Sequence, residues 1–257
     1  MRSVPRRELS KTAKNYLKRK SEQVASAHVD LQSSEVDRVW PSARRTKLFK
    51  SSILAVLYQM VDQHHRCMYC EDSRGTDVDH FWPKAHYPTK AFSWENMLLA
   101  CTHCQRIKGD RFPLAVDGSA SLIDPTSDDP WDFLVFVPET GRVTPRVDPA
   151  TGLENARGET TCENLPLNDE PLNFGRQRTV RAFRRAITTY RERALHDFAL
   201  VSQSTASREI IDAFSDHNCY GLIEWFTLRD GKDDALFREF DRDFPGISAA
   251  IRTLVQR

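Results

Sequence analysis

Apolar residues recur at three- and four-residue steps in two long stretches of the chain, which is the period of a helix that buries one face. Residues 43–64 carry the first set, and the preceding Trp40-Pro41-Ser42 is a candidate helix start. Residues 176–201 carry the second set, with arginines on the opposite side. The pattern therefore predicts two amphipathic helices.

Outside these stretches the pattern is less regular. Residues 6–28 are rich in lysine and arginine with sparse apolar positions, which favours an exposed helix or an arm that docks on something else. Leu122-Ile123-Asp124-Pro125 and residues 133–137 and 143–147 predict short strands, and a Gly-containing turn joins the last two into a hairpin. Residues 207–257 alternate apolar patches with Asp, Gly and Pro, which is typical of short helices.

Together these elements predict an α+β fold that is mainly helical. We expect three parts: a basic N-terminal arm over residues 1–42, a core over 43–115, and a hairpin and helical region over 116–257 that packs on the core. No apolar run approaches the roughly 18–20 residues that span a bilayer, and the first residues lack the apolar core of a signal peptide. The sequence therefore predicts a cytoplasmic protein without a membrane partner.

Charge is separated along the chain although the formal net charge is only +1. Residues 1–66 hold 14 Lys and Arg against 6 Asp and Glu, residues 120–170 hold 3 against 11, and residues 176–193 hold 7 Arg against 1 Glu. A localised basic surface suits a phosphate backbone, although the solvated face of a helix can have the same composition.

Four of the six cysteines form two C-x2-C pairs, a spacing typical of a tetrahedral zinc site. The pairs are Cys67 with Cys70 and Cys101 with Cys104. The insert between them has 30 residues, whereas a zinc ribbon has about 15–20. Four cysteine ligands leave no open position on the ion, so we expect this Zn²⁺ to be structural. The other two, Cys162 and Cys219, are expected to be ordinary buried residues.

The insert contains side chains suited to phosphodiester hydrolysis, which needs a base for water and a cation to offset negative charge. An imidazole with a pKa of about 6.5 makes His80 a candidate base, and the hard carboxylate of Asp79 suits Mg²⁺ or Mn²⁺. Neighbours on a strand point to opposite faces, so both can serve one site only at a bend or a strand end, and Pro83 indicates a bend. Asn96 can bind backbone across a loop, or it can cap a helix.

In combination these segments resemble the HNH nuclease motif, a ββα-metal fold with a structural zinc. The matching segments are Cys67-x2-Cys70, Val78-Asp79-His80-Phe81-x-Pro83, Trp94-x-Asn96-x-Leu98, Ala100-Cys101-x2-Cys104 and Lys108-Gly109-Asp110. The resemblance implies His80 as general base, Asp79 as a ligand of a catalytic Mg²⁺ or Mn²⁺, and Asn96 as the brace that orients the base. It also implies products with a 5′-phosphate and a 3′-hydroxyl.

One position departs from the HNH pattern. Such proteins usually carry Asn directly after the last cysteine as the second protein ligand of the catalytic metal, whereas this chain has Gln105. Glutamine keeps the amide oxygen but adds a methylene, so Gln105 can complete the site, His103 can replace it, or the site can be silent. Arg106 and Lys108, on the helix that follows, are candidate phosphate contacts or solvated helix charges.

A second resemblance extends over about residues 45–190, to the PtuB-like HNH effector nucleases of Septu-type and retron-associated antiphage systems. Its segments are residues 92–96, 109–113, 122–125, the hairpin at 136–143, and 165–168 before the arginine-rich helix. This resemblance implies an SMC/ABC-like ATPase partner, for which the basic arm is a candidate docking segment. The sequence thus favours a defence endonuclease acting on DNA or RNA. The alternative is a zinc-stabilised nucleic-acid- or partner-binding module with a degenerate site.

Overall fold

The computed structural model describes residues 1–61, 64–196, 205–217 and 220–256. Helices dominate these residues: α1 (Lys11–Ala25), α2 (Gln32–Ala43), α3 (Lys47–Phe49), α4 (Ala55–Met60), α5 (Thr102–Lys108), α6 (Ala156–Asn164), α7 (Glu170–His196), α8 (Thr205–Asp216), α9 (Leu222–Leu228), α10 (Ala235–Asp243) and α11 (Pro245–Arg252). Two antiparallel pairs of strands accompany them, β1 (Asp77–His80) with β2 (Met97–Ala100) and β3 (Leu134–Val137) with β4 (Arg142–Pro145). The predicted α+β, mainly helical fold is confirmed.

The N-terminal segment packs on its own chain through its apolar residues and is not a free arm, whereas its docking on a partner stays a prediction. The apolar residues of α1 form one buried stripe, namely Ala13, Tyr16, Leu17 and Val24. Met1 and Val4 are also buried, and the Arg6 guanidinium donates to the carbonyls of Trp94, Glu95 and Met97. Each large apolar side chain buried here contributes about 1.5–3 kcal/mol, which is enough to hold a basic helix on a core.

The helix predicted over residues 43–64 begins later than expected. Trp40-Pro41-Ser42 lies inside α2 and is not a helix start. The next helix is capped by Thr46, whose hydroxyl accepts from the Phe49 amide. From there α3, a π-helical segment (Lys50–Leu54) and α4 follow one another to Met60. Residues 62 and 63 of the predicted span lie outside the described residues.

The central motif is a ββα unit. In the sheet Asp79 lies opposite Leu98, and His80, the last residue of β1, lies opposite Met97. The chain then enters α5, which ends at Gly109 with a left-handed φ of 56°. This order places the end of β1 and the inner face of α5 side by side.

The hairpin of β3 and β4 is confirmed, but Leu122-Ile123 is not a strand. Both residues are buried, and side chains of α6 bind their backbone. Arg157 donates to the Leu122 carbonyl at 2.9 Å, and the Thr161 hydroxyl accepts from the Ile123 amide at 2.9 Å. Helix side chains therefore take the hydrogen bonds that a neighbouring strand would have made.

The second long helix is confirmed as α7, which begins at Glu170 and not near Arg176. Phe198 and Val201, at its predicted end, lie outside the described residues. The short helices predicted downstream are present as α8–α11. Although α7 has 27 residues, arginines recur along it, and no helix in the described ranges is long and apolar enough to cross a membrane. One hydrophobic cluster joins Met1 to Leu254, and the division into three parts remains a prediction.

Candidate active site

Four cysteine sulfurs converge beside the ββα unit. The Sγ atoms of Cys67, Cys70, Cys101 and Cys104 all lie within 4.8 Å of one another, and all four residues are buried. A tetrahedral Zn²⁺ with Zn–S bonds of about 2.3 Å holds its sulfurs about 3.8 Å apart, so the cluster suits that ion. In the part of the chain that the structure describes, no second group of three His, Cys, Asp or Glu side chains comes this close.

The remaining cysteines lie apart from this cluster. Cys162, on α6, is only partly buried, and its thiol lies 3.8 Å from the Val143 carbonyl oxygen. Burial raises the pKa of the Cys162 thiol to about 11, which makes it a poor nucleophile at neutral pH. Cys219 lies outside the described residues.

His80 is held in one orientation at the end of β1. Its Nε2 lies 2.8 Å from the Ala91 carbonyl oxygen. Because a carbonyl only accepts, Nε2 carries the proton and Nδ1 keeps its lone pair. The Trp40 ring packs against the imidazole with a centroid distance of 4.4 Å. Burial lowers the pKa of His80 to about 4, so the ring is neutral at pH 7 and Nδ1 can accept a proton.

Asp79 is buried beside His80 and has two partners on one oxygen. Its Oδ2 accepts from the Tyr69 hydroxyl at 2.7 Å and lies 3.1 Å from the Lys108 ammonium. These contacts fix the carboxylate through Oδ2. Oδ1 is the oxygen that Asp79 can offer to a cation in the adjoining cleft.

Lys108 points inward, which does not fit its predicted role as a phosphate contact. The residue has no exposed surface, and its Nζ donates to the His80 carbonyl oxygen at 2.8 Å besides pairing with Asp79. Sequence reasoning missed this role. The available signal was spacing, because Lys108 follows Cys101 and Cys104 by seven and four residues and so shares their helix face.

Asn96 binds the loop that follows β1. Its Oδ1 accepts from the Trp82 amide at 2.7 Å, and its Nδ2 donates to the carbonyls of Trp82 and Lys90, each at 3.0 Å. The side chain thus joins both ends of this loop, from which Ala91 reaches the imidazole of His80. Asn96 ends a single 3₁₀ turn before β2 and is not a helix N-cap.

The two candidates for the second metal ligand lie on different sides of α5. Gln105 lines the same cleft as Asp79 and His80, and its Nε2 donates to the Ala100 carbonyl at 3.0 Å, so the amide oxygen faces away from that carbonyl. His103 is about half exposed and lies 2.7 Å from Asp169, just before α7. Arg106 is exposed on α5 and does not line the cleft.

The cleft at the end of β1 has a volume of about 320 Å³. Its polar lining consists of Arg44, Asp77, Asp79, His80, Lys84, Gln105 and Asp110. The carboxylate of Asp79 and the amide oxygen of Gln105 are ligands that Mg²⁺ and Mn²⁺ accept, with water and phosphate oxygens filling the other positions. The donor set therefore fits a divalent metal site.

This geometry agrees with the comparisons to known proteins. Residues 67–111, which contain the zinc cysteines, His80 and α5, match the family model for HNH endonuclease. The chain is also similar to the Septu protein PtuB of Bacillus thuringiensis, with 33% identity over 76 residues. The alignment covers 28% of this chain and 28% of that relative, so the matched part spans less than a third of the relative's length. The resemblance to HNH nucleases, and to the Septu type among them, is confirmed.

Proposed function

We propose that this protein is a metal-dependent HNH endonuclease that hydrolyses phosphodiester bonds of nucleic acid, with DNA as its expected substrate. The observation that supports this most is the cleft at the end of β1. There a neutral imidazole with a free Nδ1 lone pair, a carboxylate and a side-chain amide line one space, contributed by His80, Asp79 and Gln105.

In this proposal Nδ1 of His80 accepts a proton from water, and the resulting hydroxide attacks phosphorus. The bond between phosphorus and the 3′ oxygen breaks and this oxygen takes a proton from solvent water, so one product carries a 5′-phosphate and the other a 3′-hydroxyl. Asp79 and Gln105 would hold Mg²⁺ or Mn²⁺, which supplies charge neutralisation at the phosphate and the departing oxygen. The zinc cluster keeps the two strands and α5 together and takes no part in the chemistry.

The biological setting that we propose is antiphage defence. Similarity to a Septu protein supports a nuclease effector of such a system, acting in the cytoplasm on invading nucleic acid. An SMC/ABC-like ATPase is the proposed protein partner, on the ground of that resemblance alone. The N-terminal segment packs through its apolar stripe, and Lys11, Lys18 and Arg19 of α1 stay exposed for such a partner.

Plasmid cleavage with Mg²⁺ or Mn²⁺ tests the nuclease. His80→Ala should lower the rate at least about 100-fold, the usual contribution of a general base, while zinc content by mass spectrometry stays unchanged. Gln105→Ala should also reduce cleavage, whereas His103→Ala, a matched change on the other face of α5, should not. Full cleavage by His80→Ala would contradict the assignment of the base. EDTA should stop the wild-type reaction.

A zinc-stabilised binding module with a degenerate site is the second candidate. It is favoured by the ion pair between Lys108 and Asp79, because an ammonium already neutralises the carboxylate that would bind the metal. This alternative predicts that the wild-type protein binds nucleic acid but does not cut it with either metal, alone or with its ATPase partner. Metal-dependent cutting that requires His80 excludes it.

A further inference from the structure

The cleft at His80 is bordered by two cationic side chains that come from different segments. Arg44 follows the last residue of α2, and Lys84 lies in the loop after β1. Among the described residues these are the lysine and arginine that line the cleft. We propose that Arg44 and Lys84 bind backbone phosphates of the nucleic acid next to the bond that is cut. This inference rests on the proposed endonuclease function and names the groups that hold its substrate.

Neither of the two residues that the sequence suggested as phosphate contacts is placed to serve this cleft. Lys108 is fully buried between Asp79 and the His80 carbonyl, and Arg106 lies outside the cleft. A polyanion that reaches His80 nevertheless meets the carboxylates of Asp77, Asp79 and Asp110, which line the same cleft. Cations at the border of the cleft offset this repulsion, since unpaired like charges at close range disfavour binding.

Both cations can exchange their present partners for phosphate. Arg44 pairs with Asp77, with exposed side-chain fractions of 38% and 40%, and Lys84 pairs with Asp37, with 34% and 66%. Ion pairs this exposed contribute about 0–1 kcal/mol. A phosphate contact releases condensed counterions and is favoured at moderate salt, and the planar fork of arginine suits a phosphate. The present pairs therefore hold the cations in place without blocking them.

The two segments are fixed to each other as well as to the site. The Ser33 hydroxyl, on α2, donates to the Ala85 carbonyl at 3.3 Å, and the Lys84–Asp37 pair joins the same segments. Trp40, also on α2, packs on the His80 ring. Helix α2 lies outside the residues that match the HNH family model, so this wall of the cleft comes from a segment beyond that match.

The test is binding of a fluorescent DNA duplex of about 20 base pairs, measured by anisotropy with Mg²⁺ in the His80→Ala background. Arg44→Ala and Lys84→Ala should each weaken binding about eightfold at 0.1 M monovalent salt and lower the slope of log K against log salt by about 0.9, the effect of one lost phosphate contact. Arg44→Lys and Lys84→Arg, which keep the charge, should keep the slope.

Matched controls separate the cleft from general basicity. Arg38 pairs with Glu35 on α2, the helix that Arg44 follows, and Lys14 of α1 pairs with Glu8; neither cation lines the cleft. Arg38→Ala and Lys14→Ala should bind within about twofold of their parent. The inference would be overturned if the two control variants lost as much affinity as the cleft variants. It would also be overturned if the cleft variants bound the duplex as tightly as their parent.

The outcome also separates this inference from the function on which it rests. Duplex binding that depends on Arg44 and Lys84, together with no cleavage by the wild-type protein either alone or with the proposed ATPase partner, supports the binding site and rejects the endonuclease. Cleavage that requires His80, together with duplex binding that does not change in the Arg44 and Lys84 variants, supports the endonuclease and rejects the binding site.

Discussion

A single buried ammonium joins the two residues proposed for catalysis. Lys108 Nζ lies 3.1 Å from Asp79 Oδ2 and 2.8 Å from the His80 carbonyl oxygen. The side chains of Lys108 and Asp79 are only 1% and 11% exposed. A charge in such surroundings is tolerated because it is paired, so removing one partner leaves the other uncompensated. Lys108 is therefore a positioning residue for the end of β1.

We expect Lys108→Met to lower the free energy of unfolding by about 3–5 kcal/mol, the usual result of breaking a buried ion pair. Lys108→Met combined with Asp79→Asn should cost clearly less than the sum of the two single changes, because neither charge is then left alone. Urea unfolding of the four proteins measures this. Tyr69→Phe, which removes only the hydroxyl donor to Asp79, is the control and should cost about 1–3 kcal/mol. Additive losses in the double variant would contradict a shared ion pair.

At the scale of elements, the site is built from β1, the loop after it and α5. The sheet alone is too short to form the site, since β1 and β2 have four residues each. The loop supplies the Ala91 carbonyl that orients His80, and it is closed by the three hydrogen bonds of Asn96. The geometry of the base therefore depends on a loop that one side chain holds shut.

Asn96→Ala should unpair the Trp82 amide and carbonyl and remove one of two hydrogen bonds at the Lys90 carbonyl, and lower the free energy of unfolding by about 2–4 kcal/mol. Cleavage should fall together with protection of the Trp82 amide from hydrogen exchange. Asn155→Ala is the matched control, because Asn155 also binds backbone amides, as the N-cap of α6. It should cost about 1 kcal/mol and leave cleavage unchanged. Equal cleavage by both variants would refute a role for the brace.

At the scale of the whole molecule, the turn after Cys70 joins the N-terminus to the segment that begins α9. Glu71, with a left-handed φ of 57°, pairs with Arg2 at 3.1 Å. The Tyr220 hydroxyl donates to Asp72 at 2.5 Å, and Gly221 follows it with a φ of 70°. A Cβ at Gly221 would lie 2.9 Å from the Arg2 Cβ, so glycine permits this close approach. The zinc cluster thus supports contacts far from the cleft.

Zinc removal should therefore loosen the C-terminal helices as well as the nuclease core. We expect Cys70→Ser to lose zinc and to lose hydrogen-exchange protection in α9, because the turn that carries Glu71 and Asp72 is no longer closed. Exchange measured by mass spectrometry and zinc content by atomic emission test this. Cys162→Ser should keep both, since Cys162 lies outside the cluster. Full protection of α9 in zinc-free protein would contradict the coupling.

Much of the fold follows from local sequence. The periods of apolar residues located α7, the helical segment before the first cysteine pair, and the short helices at the end of the chain, because each of these elements buries a face that its own spacing defines. Cysteine spacing located the zinc cluster, and the segments around Asp79, His80 and Asn96 identified the HNH motif. These features depend on residues close together in the chain.

Other features depend on contacts between distant segments and needed the tertiary structure. Whether α1 packs or projects, whether Lys108 faces phosphate or Asp79, and which of Gln105 and His103 reaches the cleft are decided by what each helix face meets. The wall of Trp40 and Arg44 beside His80 comes from α2 and the residue that follows it, some 40 residues away in sequence. The sequence by itself determined the chemistry that is present, and the packing decided which side chains share a space, because burial and charge pairing act through proximity in three dimensions.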